Sequence, residues 1–523
     1  MSVRSPNWIN AFAKLALLAM IPLSGCERTP EASSETNQSG TNPRRHAEEM
    51  QLVSRVRPQV EAFCGDCHAM PRPASSSRNE WVDEINQGFT LYGESGRSDL
   101  EVPAYDDVLK FFQYQAPKEL DHWTDRLDYP VTTLPLEPAS VRLPGDRPPG
   151  VTNVRWLNLG IEESNALVYC DINTGAINAH WPRVPGKPTR RIATVLQPVH
   201  TETCDLDSDG HVDLVVADIG EFNANDSDLG RVLWLRRDPD KESYEKVVLQ
   251  DGLGRVADVQ PGDFDKDGDT DLLVAIFGWR TNGRIVLLEH QGLTDGRPTF
   301  VLRNIDERHG PVQVLPHDLN EDGHLDFVAL IGQEHERVEA FLNDGTGVFA
   351  NHLIYSAPDP AYGSSGIELV DLDRDGDLDV LYTNGDSFDR GPKPHHSIQW
   401  LENEGTYPYI HHEICKMPGV LNAQAGDFDR DGDFDVIAVS LLAEPINNQI
   451  SQLNTSSVVL LSQTSPGIFE PSQIEGRQHQ HISVEVDDFD GNGATDFAIG
   501  NFLRSGPGDQ PDLTLWMNRS PRR

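Results

Sequence analysis

Positive charge is scarce in this chain. Its 523 residues carry 43 Lys and Arg against 83 Asp and Glu, a net charge of −40. A nucleic-acid partner requires a basic footprint, so that class is set aside. Methionine is scarce too, with none between Met70 and Met417. Long apolar runs are missing. Leu15–Leu23 is a short apolar stretch, too short to span a bilayer as a mature helix, and no other segment could cross one. No nucleophile–base pair, catalytic zinc motif or second cofactor signature is visible. Enzyme activity therefore stays undecided, with oxidoreductase or electron carrier as the class if there is one.

What is abundant is aspartate, and it is periodic. Six runs follow the form D-x-[DN]-x-[DN]-G-x-x-D. They are Asp205-Asp207-Asp209-Gly210-Asp213, Asp263-Asp265-Asp267-Gly268-Asp271, Asp318-Asn320-Asp322-Gly323-Asp326, Asp371-Asp373-Asp375-Gly376-Asp379, Asp427-Asp429-Asp431-Gly432-Asp435 and Asp488-Asp490-Asn492-Gly493-Asp496. The steps between first Asp residues are 58, 55, 53, 56 and 61 residues. A period of this size marks one supersecondary unit per repeat.

Oxygen ligands at positions 1, 3 and 5 converge on one point, and Gly at 6 permits the sharp turn. A carboxylate at 9 closes the shell. Calcium accepts 6–8 such oxygens, whereas softer metals want the Cys or His that these ligand positions lack. Up to six calcium ions are expected, which would offset about 12 of the excess negative charges. A single copy would read equally well as an acidic solvated turn; six in phase favour the metal. An EF-hand is excluded because each loop runs into β-branched, apolar residues such as Leu214-Val215-Val216, and position 12 is Val216 or Val274 rather than Glu.

Each period divides into four short strands. In the third copy these are Val314–Pro316, Phe327–Ile331, Val338–Leu342 and His352–Tyr355. Four strands per repeat, arranged around a circle, describe a β-propeller blade. The loops, above all Gly262–Asp271 and Gly426–Asp435, resemble the FG-GAP/VCBS repeat family from about Pro198 onward. That resemblance implies a mainly β calcium propeller and a surface that binds proteins or glycans.

Six loops give six blades. Val151–Leu196 adds a seventh, with strands at Val154–Leu159, Ala166–Asp171, Ala176–Trp181 and Arg190–Val195 and a degenerate loop at Asp171-Ile172-Asn173-Thr174-Gly175. Seven blades are expected, with six as the alternative. The last blade runs short after Leu513–Met517, and Ala139–Leu143 is expected to supply its fourth strand and close the ring.

The front of the chain is different. Residues 1–26 read as a targeting segment, with Arg4 and Lys14 ahead of the apolar stretch. Leu23-Ser24-Gly25-Cys26 resembles a bacterial lipobox, which implies acylation of Cys26 and a lipid anchor in the bacterial cell envelope, periplasmic or on the outer surface. Residues 27–46 read as a flexible tether.

Cys64-Gly65-Asp66-Cys67-His68 is a C-x-x-C-H run, the attachment signature of haem c, so Cys64 and Cys67 are expected to bind the vinyl groups and His68 the iron. A zinc half-site is the weaker reading, because no second Cys pair lies nearby. Glu48–Phe63 is expected to be helical. Ser77-x-x-Glu80 reads as a capping box before Trp81, Ile85 and Tyr92, and Pro103 opens a third helix with Val108, Phe111 and Phe112. Residues 47–130 thus resemble a small all-α cytochrome c domain, followed by the propeller over 131–523. The family's distal Met is absent at its usual place. Met70 is too close to His68, and His122, His46 and Met50 are the other candidates, alongside an open position.

Three more Cys remain, Cys170, Cys204 and Cys415; a Cys170–Cys204 bridge between neighbouring blades is possible and left open. Glu202, Gln260, Leu315, Glu368, Gln424 and Glu485 sit three residues before the loops. His200, Asp258, Gln313, Gly366, Asn422 and Ser483 sit five before. They read as lining a wet central channel or, less simply, as a binding pocket on the axis. His395-His396 and His411-His412 are expected to be exposed. Two functions follow. One is electron transfer to a redox partner protein, with the propeller as a docking or ligand-binding platform. The other is a cell-surface propeller that binds protein or glycan, with accessory haem.

Overall fold

The computed structural model describes residues 43–120, 127, 129–241, 243–388, 391–442, 455–503, 505 and 508–521. The targeting segment with Cys26, most of the tether, and His122 lie outside them. Among the described residues, no helix is long and apolar enough to cross a membrane.

Three helices come first: α1 (Pro43–Cys64), α2 (Trp81–Glu94) and α3 (Tyr105–Gln115). α1 starts earlier than expected, at Pro43, inside the stretch read as tether; proline is well placed in a first helical turn. Ahead of α2, the Glu80 carboxylate accepts from Ser77 N at 2.7 Å, half of the expected capping box. The apolar faces meet in one cluster of Val53, Val56, Val60, Trp81, Ile85, Val108, Phe111, Phe112 and Ala116. Trp81 stacks on Phe112 with centroids 4.1 Å apart.

The rest is a β-propeller of seven four-stranded antiparallel sheets. The first blade comprises Val151–Leu157, Ala166–Asp171, Ala176–His180 and Arg190–Thr194. In six blades the strands follow one another in sequence outward from the axis, and the first strands of all seven pack side by side around the ring. Second strands such as Asp271–Ile276 and Asp326–Ile331 are buried along their whole length, because both sheet faces lie against neighbouring blades. This is why they read as continuous apolar runs rather than alternating ones. Outer strands such as Phe349–Ser356 are largely exposed.

Ring closure follows the expected route. Leu136–Val141 pairs antiparallel with Leu513–Asn518, from Leu136 opposite Asn518 to Val141 opposite Leu513. It forms the outer strand of the last blade, begun by His481–Asp487 and Asp496–Asn501. The earliest propeller strand thus completes the latest blade, and no sheet is left short.

One reading of the first blade was misplaced. The acidic loops join the first and second strands, as between Val256–Gly262 and Asp271. Residues 171–175 join the second and third, at the opposite end of the sheet. The true counterpart is 158–165. It keeps a buried apolar residue, Leu159, but holds its turn with an arginine: Arg237 Nη1 donates to the carbonyls of Leu159 and Gly160 at 3.0 and 2.8 Å.

Candidate functional site

The acidic loops share one construction. In the second, the Asp263 carboxylate accepts from Gly268 N at 3.2 Å, Asp265 from Asp267 N at 3.2 Å, and Asp267 from Asp269 N at 2.9 Å. These Asx turns fold the loop onto its own backbone. The glycine at position 6 has φ between 81° and 105° in all six loops, a left-handed conformation that favours glycine.

The ninth residue does more than its sequence reading suggested. Asp213, Asp271, Asp326, Asp379, Asp435 and Asp496 are at most 1% exposed. In each, Oδ1 accepts a backbone N–H from the end of the third strand, at 2.6–2.9 Å. In five of them Oδ2 accepts from the residue after the first Asp, such as Phe264 N at 3.0 Å for Asp271. The carboxylate is a staple between the loop and the third strand. Burial pushes its pKa up, to about 6 at Asp213, Asp271, Asp379 and Asp496 and to about 7 at Asp435.

The donor set fits a hard cation. Ligand oxygens of Asp205, Asp207 and Asp213 lie within 4.8 Å of one another, and so do those of Asp263, Asp265 and Asp271, of Asp371, Asp373 and Asp379, and of Asp427, Asp429 and Asp431. Oδ1 of Asp207, Asp371 and Asp427 is buried without a hydrogen-bond partner, which is unusual for a buried carboxylate oxygen. The first loop also carries an internal cation, since Arg236 Nε lies 2.6 Å from Asp207 Oδ2.

In the helical region the C-x-x-C-H turn follows directly on the last residue of α1. Cys64 is half-buried, Cys67 is exposed, and both are free thiols. His68 Nδ1 lies 2.8 Å from the Ala69 carbonyl, which only accepts, so Nδ1 is the donor of this pair and Nε2 is the nitrogen left for a metal. Such an engaged second nitrogen is what orients a metal-ligating imidazole. Arg97 braces the turn, 2.7 Å from Asp66 and 3.0 Å from Cys67 Sγ. The half-buried Phe63 ring contacts Phe89 and Tyr92 at 5.4 and 5.0 Å, and the Tyr92 hydroxyl is buried without a partner. These donors fit a covalently held haem: two thiols, one oriented imidazole, an aromatic wall and an unmatched hydroxyl. Of the distal candidates, Met50 lies 14 residues before Cys64 on the same helix, about 21 Å along its axis. Met50 and Met70 are both half-buried and pack against the helical core. His46 is exposed.

On the axis, the expected polar ring is present but largely buried, and it ties blades together. Asp258 Oδ2 accepts from Val314 N at 3.0 Å, Gln313 Oε1 from Ile367 N at 3.1 Å, Glu368 Oε2 from Ala425 N at 2.8 Å, and Glu485 Oε1 from Trp156 N at 2.8 Å. His200 Nε2 lies 3.0 Å from Glu202 and 3.4 Å from Asp258, and Arg155 lies 2.8 Å from Glu202. Burial pushes His200 toward neutrality, but Asp258 and Glu202 outweigh it and raise its pKa.

One expectation is corrected and one open question is answered. His396 is fully buried, His395 is half-buried and stacks on Tyr362 at 4.9 Å, and His412 is half-buried and stacks on Trp400 at 4.8 Å; His411 is exposed as expected. Cys170, Cys204 and Cys415 are free thiols, so the possible bridge is not formed. On the face opposite the acidic loops, Ile172, Asn173, Gln197, Phe222, Asn223 and Phe502 line a cleft of about 200 Å³ that sequence reasoning did not find.

No curated protein matches the sequence. Similar solved structures include the crystal structures of BBS1N in complex with ARL6DN, soaked with lead and soaked with mercury. Both are 12% identical, with TM-scores of 0.42 and 0.43; they cover 75% and 74% of this chain and 98% and 96% of their own. Residues 205–274 and 277–382 match the FG-GAP-like repeat family, and the blades in these stretches are FG-GAP-like repeats of a seven-bladed β-propeller.

Proposed function

We propose that the chain is an exported electron-transfer protein, anchored to the bacterial envelope through Cys26. In this reading Cys64 and Cys67 hold a haem c through thioethers and His68 Nε2 is its protein ligand. The propeller is a calcium-bound platform for docking a redox partner protein. The observation that carries the reading is the turn after α1, where two free thiols stand beside an imidazole whose Nδ1 is already engaged. When bound, the haem supplies a one-electron centre. The chain's own part is to orient and enclose. The Ala69 carbonyl fixes the His68 tautomer, Arg97 braces the turn, and Phe63, Phe89 and Tyr92 exclude water from one side. In the platform, the first, third, fifth and ninth loop residues supply the calcium oxygens.

A redox titration of the full, haem-matured chain tests this. One reversible one-electron wave is expected, absent from Cys64→Ala/Cys67→Ala. An attached haem without a reversible wave would overturn it.

A second reading, a surface propeller binding protein or glycan, is favoured by the cleft beside Phe222 and Phe502. A glycan array distinguishes the two: binding lost in Phe222→Ala, with the redox wave intact, supports the second.

A further inference from the structure

Three ligating side chains meet on the face opposite the acidic loops. His309 lies between strands Arg297–Asp306 and Pro311–His317. Glu334 and His335 lie in the turn between Asp326–Ile331 and Arg337–Asn343. The acidic loop of this blade joins the other ends of the same strands, so the two groups cannot share an ion. The backbone fixes the two segments to each other. Gly332 N donates to the Gly310 carbonyl at 2.8 Å, and His335 N returns to the Gly332 carbonyl at 3.2 Å. Gly310, at φ +94°, permits this approach, since a Cβ there would lie 2.8 Å from the Gly332 carbonyl oxygen.

The side chains converge. His309 Nε2 lies 2.8 Å from Glu334 Oε1, and the two imidazole rings are 5.3 Å apart. One ligand atom from each of the three residues lies within 4.8 Å of the others. An ordinary His–Glu pair would account for His309 and Glu334 but not for His335, whose Nε2 is buried with no hydrogen-bond partner. Two guanidinium groups stand nearby, and both are already paired: Arg308 lies 2.7 Å from Asp306 and Arg337 lies 3.3 Å from Glu339.

We propose that His309, Glu334 and His335 form a binding site for a divalent transition cation of the zinc class, with the remaining coordination open to water or a ligand. Two imidazole nitrogens and one carboxylate suit zinc; the all-oxygen loops suit calcium. Sequence spacing hides the site, because His309 and the Glu334-His335 pair sit in separate connections.

The test uses the full chain, stripped with a chelator and equilibrated with excess calcium to occupy the oxygen sites. Zinc is added, the protein is passed through gel filtration, and retained zinc is counted by elemental analysis. The wild type is expected to retain one more zinc per chain than His309→Ala/His335→Ala. Because both proteins carry Cys64 and Cys67, thiol-bound zinc cancels in the difference. Glu334→Gln, which keeps the shape of the turn, is expected to weaken zinc binding at least tenfold. Equal zinc in the wild type and the double variant overturns the proposal. If the double variant does not fold, an unchanged zinc affinity in Glu334→Gln overturns it.

Discussion

The three helices and the seven blades meet the same demand, burial of an apolar face, by different means. The helical region rests on one cluster of nine buried residues, a small core for a body of its size. Among its described residues, the buried side-chain polar atom without a partner is the Tyr92 hydroxyl, on a ring that contacts Phe63 beside the thiol-bearing turn. In the propeller each blade is secured several times over. It has its own ladder, in six blades a buried ninth-residue staple, and in several an inner side chain bonded to the next blade. Repetition makes the propeller stable piece by piece. The helical region has no such redundancy, and its stability is expected to depend on what the C-x-x-C-H turn holds.

The largest predicted effect concerns ring closure. Truncation before Pro144 removes Leu136–Val141 and leaves the last blade with an open edge. It should lower the melting temperature of the propeller by more than about 10 °C, since about 1 kcal/mol already shifts a large domain by a few degrees. Truncation before Leu134, which removes the helices but keeps the strand, should cost the propeller far less. Equal melting of the two truncated chains would break the comparison.

Calcium removal comes next. Chelation should lower the melting temperature of the blades and leave the spectrum of an attached haem unchanged. One site at a hundredfold excess of ion over Kd contributes about 2.7 kcal/mol. The effect has a sign in pH. Burial raises the pKa of the ninth-residue carboxyls above the ordinary carboxylate value, to about 6 at Asp213, Asp271, Asp379 and Asp496 and about 7 at Asp435. The folded, calcium-free form therefore holds extra protons between about pH 4 and 7 and loses stability as pH rises through that window. Calcium competes with those protons, so the difference in melting temperature with and without calcium should grow from pH 5 to pH 8. Buried histidines whose pKa is lowered, His335, His395 and His479, act equally on both forms and cancel. A difference that shrinks with pH would contradict the assignment.

Single substitutions sharpen the picture. Asp271→Ala leaves Phe264 N and His290 N without their acceptor and should cost about 3 kcal/mol even in chelator. Asp267→Ala in chelator should cost less than about 1 kcal/mol, because Asp267 is exposed and water can replace the one bond it accepts, from Asp269 N. Denaturant melts of the two would separate staple from ligand. Glu485→Ala, which removes the bond to Trp156 N, is expected to cost about 1 kcal/mol, so that Asp267→Ala in chelator is the smallest effect of the three.

Legibility followed the same division. A period near 55 residues made the blades readable, and the strands of the first blade fall within a few residues of their expected bounds. The closing strand was found because the last blade counted one strand short. Where the repeat loses its aspartates the reading slipped: residues 171–175 look like the loop but lie at the wrong end of the second strand, and 158–165 carries no acidic signature. The ninth Asp was read only as a ligand, because a bond to the third strand leaves no trace in spacing. His309, Glu334 and His335 were invisible for a related reason, since the ring packing brings together two connections that share no motif. In the helices, the C-x-x-C-H run was legible as chemistry, but the packing of the half-buried Met50 and Met70 against the helical core was not.

The most direct measurement is an optical spectrum, oxidised and reduced, of the full chain produced in a host that attaches haem c, followed by pyridine haemochrome analysis. The account predicts one covalent haem per chain with a sharp reduced α-band, lost in Cys64→Ala/Cys67→Ala while the propeller still melts cooperatively in calcium. A chain that matures with no covalent haem would contradict it.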